Sequence, residues 1–425
     1  MFGRQHCSEE YITEYCPPSD KSITIRAMLL AAFSKGKSII RNPLKCDDTS
    51  VAISCIKSLG AIVEEKESHI EIIGGNLHNP ERPLYCGSSG AVARLLCGLL
   101  CGSGITTELR GSSQLSRRPM DRITNPLRLM GADIFGDSLP LTIHPSNLHG
   151  IDYDTKIASA QVKTAILFAG LNADGRTTVH EPFQSRDHGE TLLQMCGADI
   201  LRKGHYTLIR RSILRPYNIS VPGDFSSSAF FIAGSQLSGR KIHIRETGLN
   251  PTRLGMIRIL ERSGADIDIA YTESKNEPCG DIVYRPKTLK PLYVNAEEVP
   301  SLIDEIPIMA VISATISGES VFCGIDELKV KESDRINATI NLVRAMGRDA
   351  RYSDGTLYVN GMAADKLRTV PCVYDTMRDH RMAMSATVAT IACPNLQIDG
   401  MDCVSKSYPD FLDDFNRAFK QKGRT

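Results

Sequence analysis

A tetrapeptide, Gly-Ala-Asp-Ile, recurs at 131–134, 197–200 and 264–267, and looser copies stand at Gly60-Ala61-Ile62-Val63 and Gly347-Arg348-Asp349-Ala350. Each copy closes a segment with helical apolar spacing, such as Ile123, Leu127, Leu129 and Met130. A glycine there stops the helix, and the residues after it begin a strand. A second series interleaves with the first: 26–33, 91–100, 162–171, 227–237, 306–316 and 381–391 are rich in Ala, Leu, Ile, Met and Phe on nearly every face. Helices that are apolar all round belong in an interior. The two series define six units of roughly 70 residues in a chain of 425, well above the roughly 20 to 50 of solenoid repeats. Each reads as strand, buried helix, strand, amphipathic helix and further strand, an α/β unit. The sixth unit runs out after its last helix, 410–419, into Lys420-Gln421-Lys422-Gly423. The early strand 11–15 is expected to complete it and to bring both termini into one lobe.

Composition narrows the function. Fifty Lys+Arg against 49 Asp+Glu leave a net charge of +1, so no bulk positive field exists to hold a polyanion by counterion release. With no Trp and 6% aromatic residues, stacking platforms for single strands are few, and nucleic acid is not an expected partner. Charges and turn residues interrupt every apolar run before the roughly 18 residues a membrane span needs. Residues 1–16 carry one Arg, three Glu and no long apolar stretch, unlike a secretory signal. The 13 Cys form no Cys-x-x-Cys pair; Cys97 and Cys101, four apart in an apolar helix, read as small buried hydrophobes of a cytoplasmic protein.

Each of the six buried segments follows a polar or glycine-rich stretch: Pro18-Ser19-Asp20-Lys21-Ser22, Gly87-Ser88-Ser89-Gly90, Ser159-Ala160-Gln161, Gly223-Asp224-Phe225-Ser226, Asp304-Glu305 and Asp379-His380. A helix N-terminus exposes unpaired N–H groups with about half a positive charge, so it binds anions without a basic surface. Lys21, Arg26, Arg94, Arg118, Lys163, Arg186, Lys331, Arg335, Arg381 and Lys406 all lie at or near such starts, and guanidinium forks suit carboxylates and phosphates. Singly, each signal is weak. A lone Arg near a helix start is more often a surface cation, Asp304-Glu305 serves any helix as an acidic first turn, and His380 reads as a structural histidine. Taken together they describe a site for a polyanionic small molecule.

The ordered set Pro18-Ser19-Asp20-Lys21-Ser22-Ile23-Thr24-Ile25-Arg26, the stretch 87–94, Arg118-Pro119, Ser159-Ala160-Gln161, Ser185-Arg186-Asp187-His188, Asp304-Glu305, Lys331-Glu332-Ser333-Asp334-Arg335, Asp379-His380-Arg381-Met382-Ala383-Met384 and Lys406-Ser407-Tyr408-Pro409 resembles, in order and spacing, the 5-enolpyruvylshikimate-3-phosphate synthase family. The match runs from about residue 16 to 412. The resemblance implies an α/β (α+β) fold of two lobes, each of three βαβαββ units with buried parallel helices, joined by a two-stranded hinge. One lobe is expected over 16–223 and the other over 1–15 plus 224–425.

The resemblance also implies a monomeric enzyme of the shikimate pathway, toward chorismate and the aromatic amino acids, with shikimate 3-phosphate and phosphoenolpyruvate as substrates and no metal or organic cofactor. Carried over by position, Lys21, Ser22, Arg26, Ser159, Ala160, Gln161, Arg186, Asp304 and Lys331 are implied to hold shikimate 3-phosphate. Lys21, Gly90, Arg118, Gln161, Arg335, Arg381 and Lys406 are implied to hold phosphoenolpyruvate. Asp304 resembles the acceptor of the hydroxyl proton, and Glu332 with Lys21 the donor to the enolpyruvyl methylene. Without bound anions, the cations of the two lobes are expected to repel across the cleft. Ser19, Ser88, Ala91 and Leu95 depart from the commoner family residues, Gly or Ala, Asn, Thr and Pro. Ser88 can donate where the amide would, with a shorter reach.

Two other readings remain open on the sequence. An enolpyruvyl transferase acting on UDP-N-acetylglucosamine shares the six-unit plan but usually carries a loop cysteine, and 111–121 has none. A non-catalytic anion-binding homologue would have no use for Asp304 and Glu332 beside its ligand.

Overall fold

The computed structural model describes residues 12–273, 276–363 and 371–419. The repeat is visible in the backbone. Gly60, Gly131, Gly197, Gly264 and Gly347 adopt φ of 102°, 93°, 77°, 103° and 78°, each between a helix and the strand that follows it, which is left-handed backbone that a side chain would strain. The interior helices are Lys21–Phe33, Gly90–Leu100, Ala160–Gly170, Phe225–Ser238, Ile306–Ala314 and His380–Ala389.

Five four-stranded sheets share one order: a first strand pairs parallel to the second across a buried helix, and a hairpin adds antiparallel beyond it. The strand–helix–strand crossover produces the parallel pair, and the short turn after it permits only antiparallel pairing. In two sheets the first strand is borrowed from far along the chain. Asn218–Ser220 pairs with Gly36–Arg41 and closes the first unit. Thr13–Tyr15 pairs with Ile242–Gly248, Thr13 opposite Ile242, and closes the fourth.

This corrects the expectation for the early strand, whose residue 11 lies outside the described residues. The sixth unit already has its own parallel pair, Cys372–Asp375 with Leu396–Asp399, and among the described residues no hairpin follows its last helix, a place that a single parallel strand cannot fill. Both ends of the described chain nevertheless meet in one lobe, where Tyr15 Oη lies 2.9 Å from Tyr408 Oη. Residues 1–11 and 420–425 lie outside the description.

Buried apolar side chains form two cores. One gathers residues from Ile23 to Val221, the other Tyr15 and residues from Phe225 to Phe419. In the first lobe Gly90–Leu100 lies against both Lys21–Phe33 and Ala160–Gly170. A Cβ on Gly98 would run into the Ala165 carbonyl, so only glycine permits that spacing. The lobes are joined where Asp20 N–H donates to Pro222 O (2.8 Å) and Asp224 N–H to Pro18 O (2.7 Å). Among the described residues no helix is long and apolar enough to cross a membrane. Cys97, in helix Gly90–Leu100, and Cys101, just past its end, are both buried.

Candidate active site

Five of the six buried helices begin at one cavity between the lobes. Lys21, Ser22, Arg26, Gly90, Arg118, Ser159, Ala160, Gln161 and Arg186 line it from the first lobe, and Asp304, Lys331, Glu332, Arg335 and Arg381 from the second. Three of these starts are fixed by a capping side chain: Asp20 Oδ1 accepts the Ile23 N–H (2.8 Å), Ser89 Oγ the Val92 N–H (3.5 Å) and Asp379 Oδ1 the Arg381 N–H (3.0 Å). The sixth helix, Phe225–Ser238, starts at Asp224, whose carboxylate accepts from Arg253 (3.2 Å) and which does not line the cavity.

Every residue to which the resemblance gives a substrate or proton-transfer role lines this cavity except Lys406, which belongs to the second lobe. Its buried ammonium donates to the Ser88 carbonyl of the first lobe at 3.0 Å. Lys163, counted among the helix-start cations, is elsewhere: it is buried inside the first lobe between Glu181 and Glu190. His380 lines the cavity and is buried. Burial, with Lys21 beside it, holds the imidazole well below its usual range, so it is neutral.

Arg335 organises the second-lobe face. Although 1% exposed, it donates to Asp379 (2.8 and 3.2 Å), Asp304 (3.1 Å) and Glu332 (2.7 Å). From the first lobe, Arg186 lies 2.7 Å from Asp304, Arg118 3.2 Å from Glu332 and Arg122 2.6 Å from Glu327. The expected repulsion across the cleft is therefore not what the structure shows. The first lobe's guanidiniums meet the second lobe's carboxylates, which serve as their counter-charges. Burial alone would raise the carboxyls of Asp304 and Glu332, but the surrounding cations outweigh it. Arg381 and Arg186 hold Asp304, and Arg118 and Arg335 hold Glu332, well below the usual carboxylate range.

The cations are tuned as well. Burial pushes Lys331 down to about 8 against the pull of Asp304, and Arg94 down to about 9, with Arg118 adding to the effect. Lys21 is raised: burial lowers it, but Asp48 at 3.0 Å outweighs that.

Several contributors escaped the reading of the sequence. Asp48 pairs with Lys21 from the first turn of helix Asp47–Ser58, where an acidic residue passes for ordinary dipole compensation. Gln114 donates to the Glu332 carbonyl across the lobes (2.9 Å), and Arg122 and Glu327 carry no motif of their own. The run Asp379-His380-Arg381 was the signal available for Asp379, whose part in clamping Arg335 needs a contact 44 residues away.

The arrangement can hold two small anions between opposed cations and can place an ionised carboxylate and an ammonium against them. Comparison with known proteins agrees. Residues 14–415 match the family EPSP synthase (3-phosphoshikimate 1-carboxyvinyltransferase). The chain is 40% identical to a 3-phosphoshikimate 1-carboxyvinyltransferase of Alkaliphilus metalliredigens over 405 residues, 93% of this chain and 94% of that one. Identity to the Aquifex aeolicus protein of the same name is also 40%, over 412 residues, 93% of this chain and 95% of that one. Among solved structures, EPSP synthase from Acinetobacter baumannii superposes with a TM-score of 0.83 at 34% identity, covering 96% of each chain. The enolpyruvyl transferase NikO from Streptomyces tendae (TM-score 0.74, 17% identity, 96% of this chain and 95% of that one) shares the fold. By sequence along nearly its whole length and by architecture, this chain belongs to the EPSP synthase family.

Proposed function

We propose that this chain transfers the enolpyruvyl group of phosphoenolpyruvate to the 5-hydroxyl of shikimate 3-phosphate and releases phosphate, in the shikimate pathway. The observation that carries this reading is the pairing of two ionised carboxylates, Asp304 and Glu332, with cations from both lobes around one cavity. In a site built only to bind anions these carboxylates would compete with the ligand for the same cations. The lobes concerned are 16–223 and 1–15 with 224–425, residues 1–11 lying outside the description.

In this reading the acceptor's phosphate lies against Ser159, Ala160, Gln161 and Arg186, its ring against Lys21, Ser22, Arg26, Asp304 and Lys331. Phosphoenolpyruvate lies among Lys21, Gly90, Arg118, Gln161, Arg335, Arg381 and Lys406. Asp304, held ionised, takes the 5-hydroxyl proton as that oxygen attacks C2 of the enolpyruvyl group, while C3 receives a proton from Glu332 or Lys21. Loss of a proton from the new methyl group then expels phosphate and restores the double bond. The guanidiniums that keep Glu332 ionised are those assigned to phosphoenolpyruvate. A bound substrate that draws Arg118 and Arg335 away raises the Glu332 carboxyl and makes it an acid only when there is something to protonate. The same competition couples binding to the lobe contacts. A monomeric, cytoplasmic enzyme fits this chemistry.

The test is phosphate release from phosphoenolpyruvate with shikimate 3-phosphate or UDP-N-acetylglucosamine as acceptor. Release with shikimate 3-phosphate alone is expected. Release with the nucleotide sugar, or with neither acceptor, overturns the reading.

A further inference from the structure

Behind the first-lobe wall of the cavity lies a charged group that the transferase reading leaves without a task. Lys163 is 2% exposed, and its Nζ lies 2.7 Å from Glu181 Oε2 and 2.7 Å from Glu190 Oε1, both side chains buried as well. A buried ion pair adds little net stability over apolar residues of the same size, so its cost points to another role. None of the three lines the cavity. Each is attached to something that does: Lys163 follows Gln161 by two residues, and Glu181 and Glu190 flank the loop that carries Ser185 and Arg186.

The ties are specific. Glu181 Oε2 also accepts the Ser185 N–H at 3.4 Å. Helix Ala160–Gly170 has no side-chain bond at its cap residue, Ser159, so its first turn is held from Lys163 instead. The ammonium stays charged, because Glu190 and Glu181 outweigh the burial that lowers it. Glu190 in turn acts on the cavity through Arg26, whose guanidinium burial pushes down to about 10 while Asp20 and Glu190 oppose that.

We propose that Lys163, Glu181 and Glu190 are positioning residues. The buried ammonium fixes the spacing between the turn 159–161 and the loop 185–186 and so sets affinity for the acceptor's phosphate far more than for the enolpyruvyl donor, which shares only Gln161 of those segments. This rests on the reading that those two segments receive that phosphate. Gly90, Arg118, Arg335 and Lys406, on the donor side, make no contact with the triad among the described hydrogen bonds and ion pairs.

The experiment is steady-state kinetics with each substrate varied in turn, on the unaltered chain, Lys163→Met and Glu190→Gln, with thermal unfolding alongside. Since loosening a binding group by a fraction of an ångström changes its effect by an order of magnitude, Lys163→Met is expected to raise KM for shikimate 3-phosphate about tenfold and Glu190→Gln about threefold, with kcat and KM for phosphoenolpyruvate within about twofold. Glu190→Gln alters charge and no shape, so it decides the matter if Lys163→Met does not fold. Equal rises in both KM values, or a fall in Tm with the shikimate 3-phosphate KM unmoved, overturn the proposal. Failure of the unaltered chain to turn over these substrates overturns the assignment of the cavity, and this inference with it.

Discussion

Among the described residues, the first lobe closes all three of its four-stranded sheets, whereas the second closes two and ends in the two-stranded pair Cys372–Asp375 and Leu396–Asp399. Their cores differ to match. Phe168 and Tyr217 are the buried aromatics of the first, which is otherwise aliphatic. In the second, Tyr15 stacks on Phe231 with ring centroids 3.5 Å apart, and Tyr408, Phe411, Phe415 and Phe419 continue the cluster. Where the described residues show no last hairpin, helix Phe411–Phe419 and strand Thr13–Tyr15 cover the core with rings, which bury more area per residue than aliphatic side chains. The charges are divided too. The first lobe brings Lys21, Arg26, Arg94, Arg118, Arg122 and Arg186 to the cavity with Asp48 as a counter-charge, while Asp304, Glu327 and Glu332 all come from the second. One unit, used six times, thus yields a lobe that mainly supplies cations and a lobe that also supplies most of the carboxylates.

That division is most directly broken by Asp304→Ala. Turnover is expected to fall by roughly 10²- to 10⁴-fold, the scale of a lost general base, with shikimate 3-phosphate affinity by calorimetry changed far less. Near-normal turnover would mean that the second lobe's acid is only a counter-charge. Next in size is Phe411→Ala, which removes a ring from the cluster that covers the second lobe's core and is expected to cost about 3–5 kcal/mol in denaturant unfolding. A loss below about 1 kcal/mol would deny the aromatics that role.

Gly90→Ala probes the first lobe's cationic face. The new Cβ would lie 2.8 Å from Arg118 Nη1 and 3.3 Å from Arg94 Nη1, so Arg118 must move. KM for phosphoenolpyruvate is expected to rise about tenfold, more than that for shikimate 3-phosphate. The smallest effect is pH-dependent. Lys331, lowered to about 8, loses its proton as pH rises through that value, and shikimate 3-phosphate affinity should then weaken by up to about tenfold per pH unit. Because the unfolded lysine binds its proton more tightly than the folded one, this group makes the protein more stable as pH climbs from 8 toward the ordinary lysine value. Lys331→Met should flatten both profiles, and a binding profile that stays steep would assign the titration to another group.

Much of this organisation is legible in the residues. The glycines after each amphipathic helix announce the period because left-handed backbone is a local requirement, and the capping residues Asp20, Ser89 and Asp379 announce the helix starts for the same reason. The cavity follows once those starts are taken as anion sites. Lys163 shows the limit: it sits two residues from Gln161 with the same charge as the true cavity cations, and only its depth in the lobe separates it from them. The partner of Thr13–Tyr15 was illegible in another way. Several strands offered an open edge, and the choice of Ile242–Gly248 is made only once the lobe has folded. Asp304 and Glu332 were recognised for their proton chemistry, yet their service as counter-charges to Arg186 and Arg118 depends on contacts between lobes.

By itself, then, the order of amino acids determined the repeating unit, the ends of its helices and the set of charged residues near those ends, since caps, glycine stops and apolar periodicity act over a few neighbouring positions. Tertiary structure alone decided which carboxylate faces which guanidinium, which strand closes which sheet and which lysine is buried. Those depend on distances through space, over which Coulomb attraction and desolvation act whatever the separation along the chain.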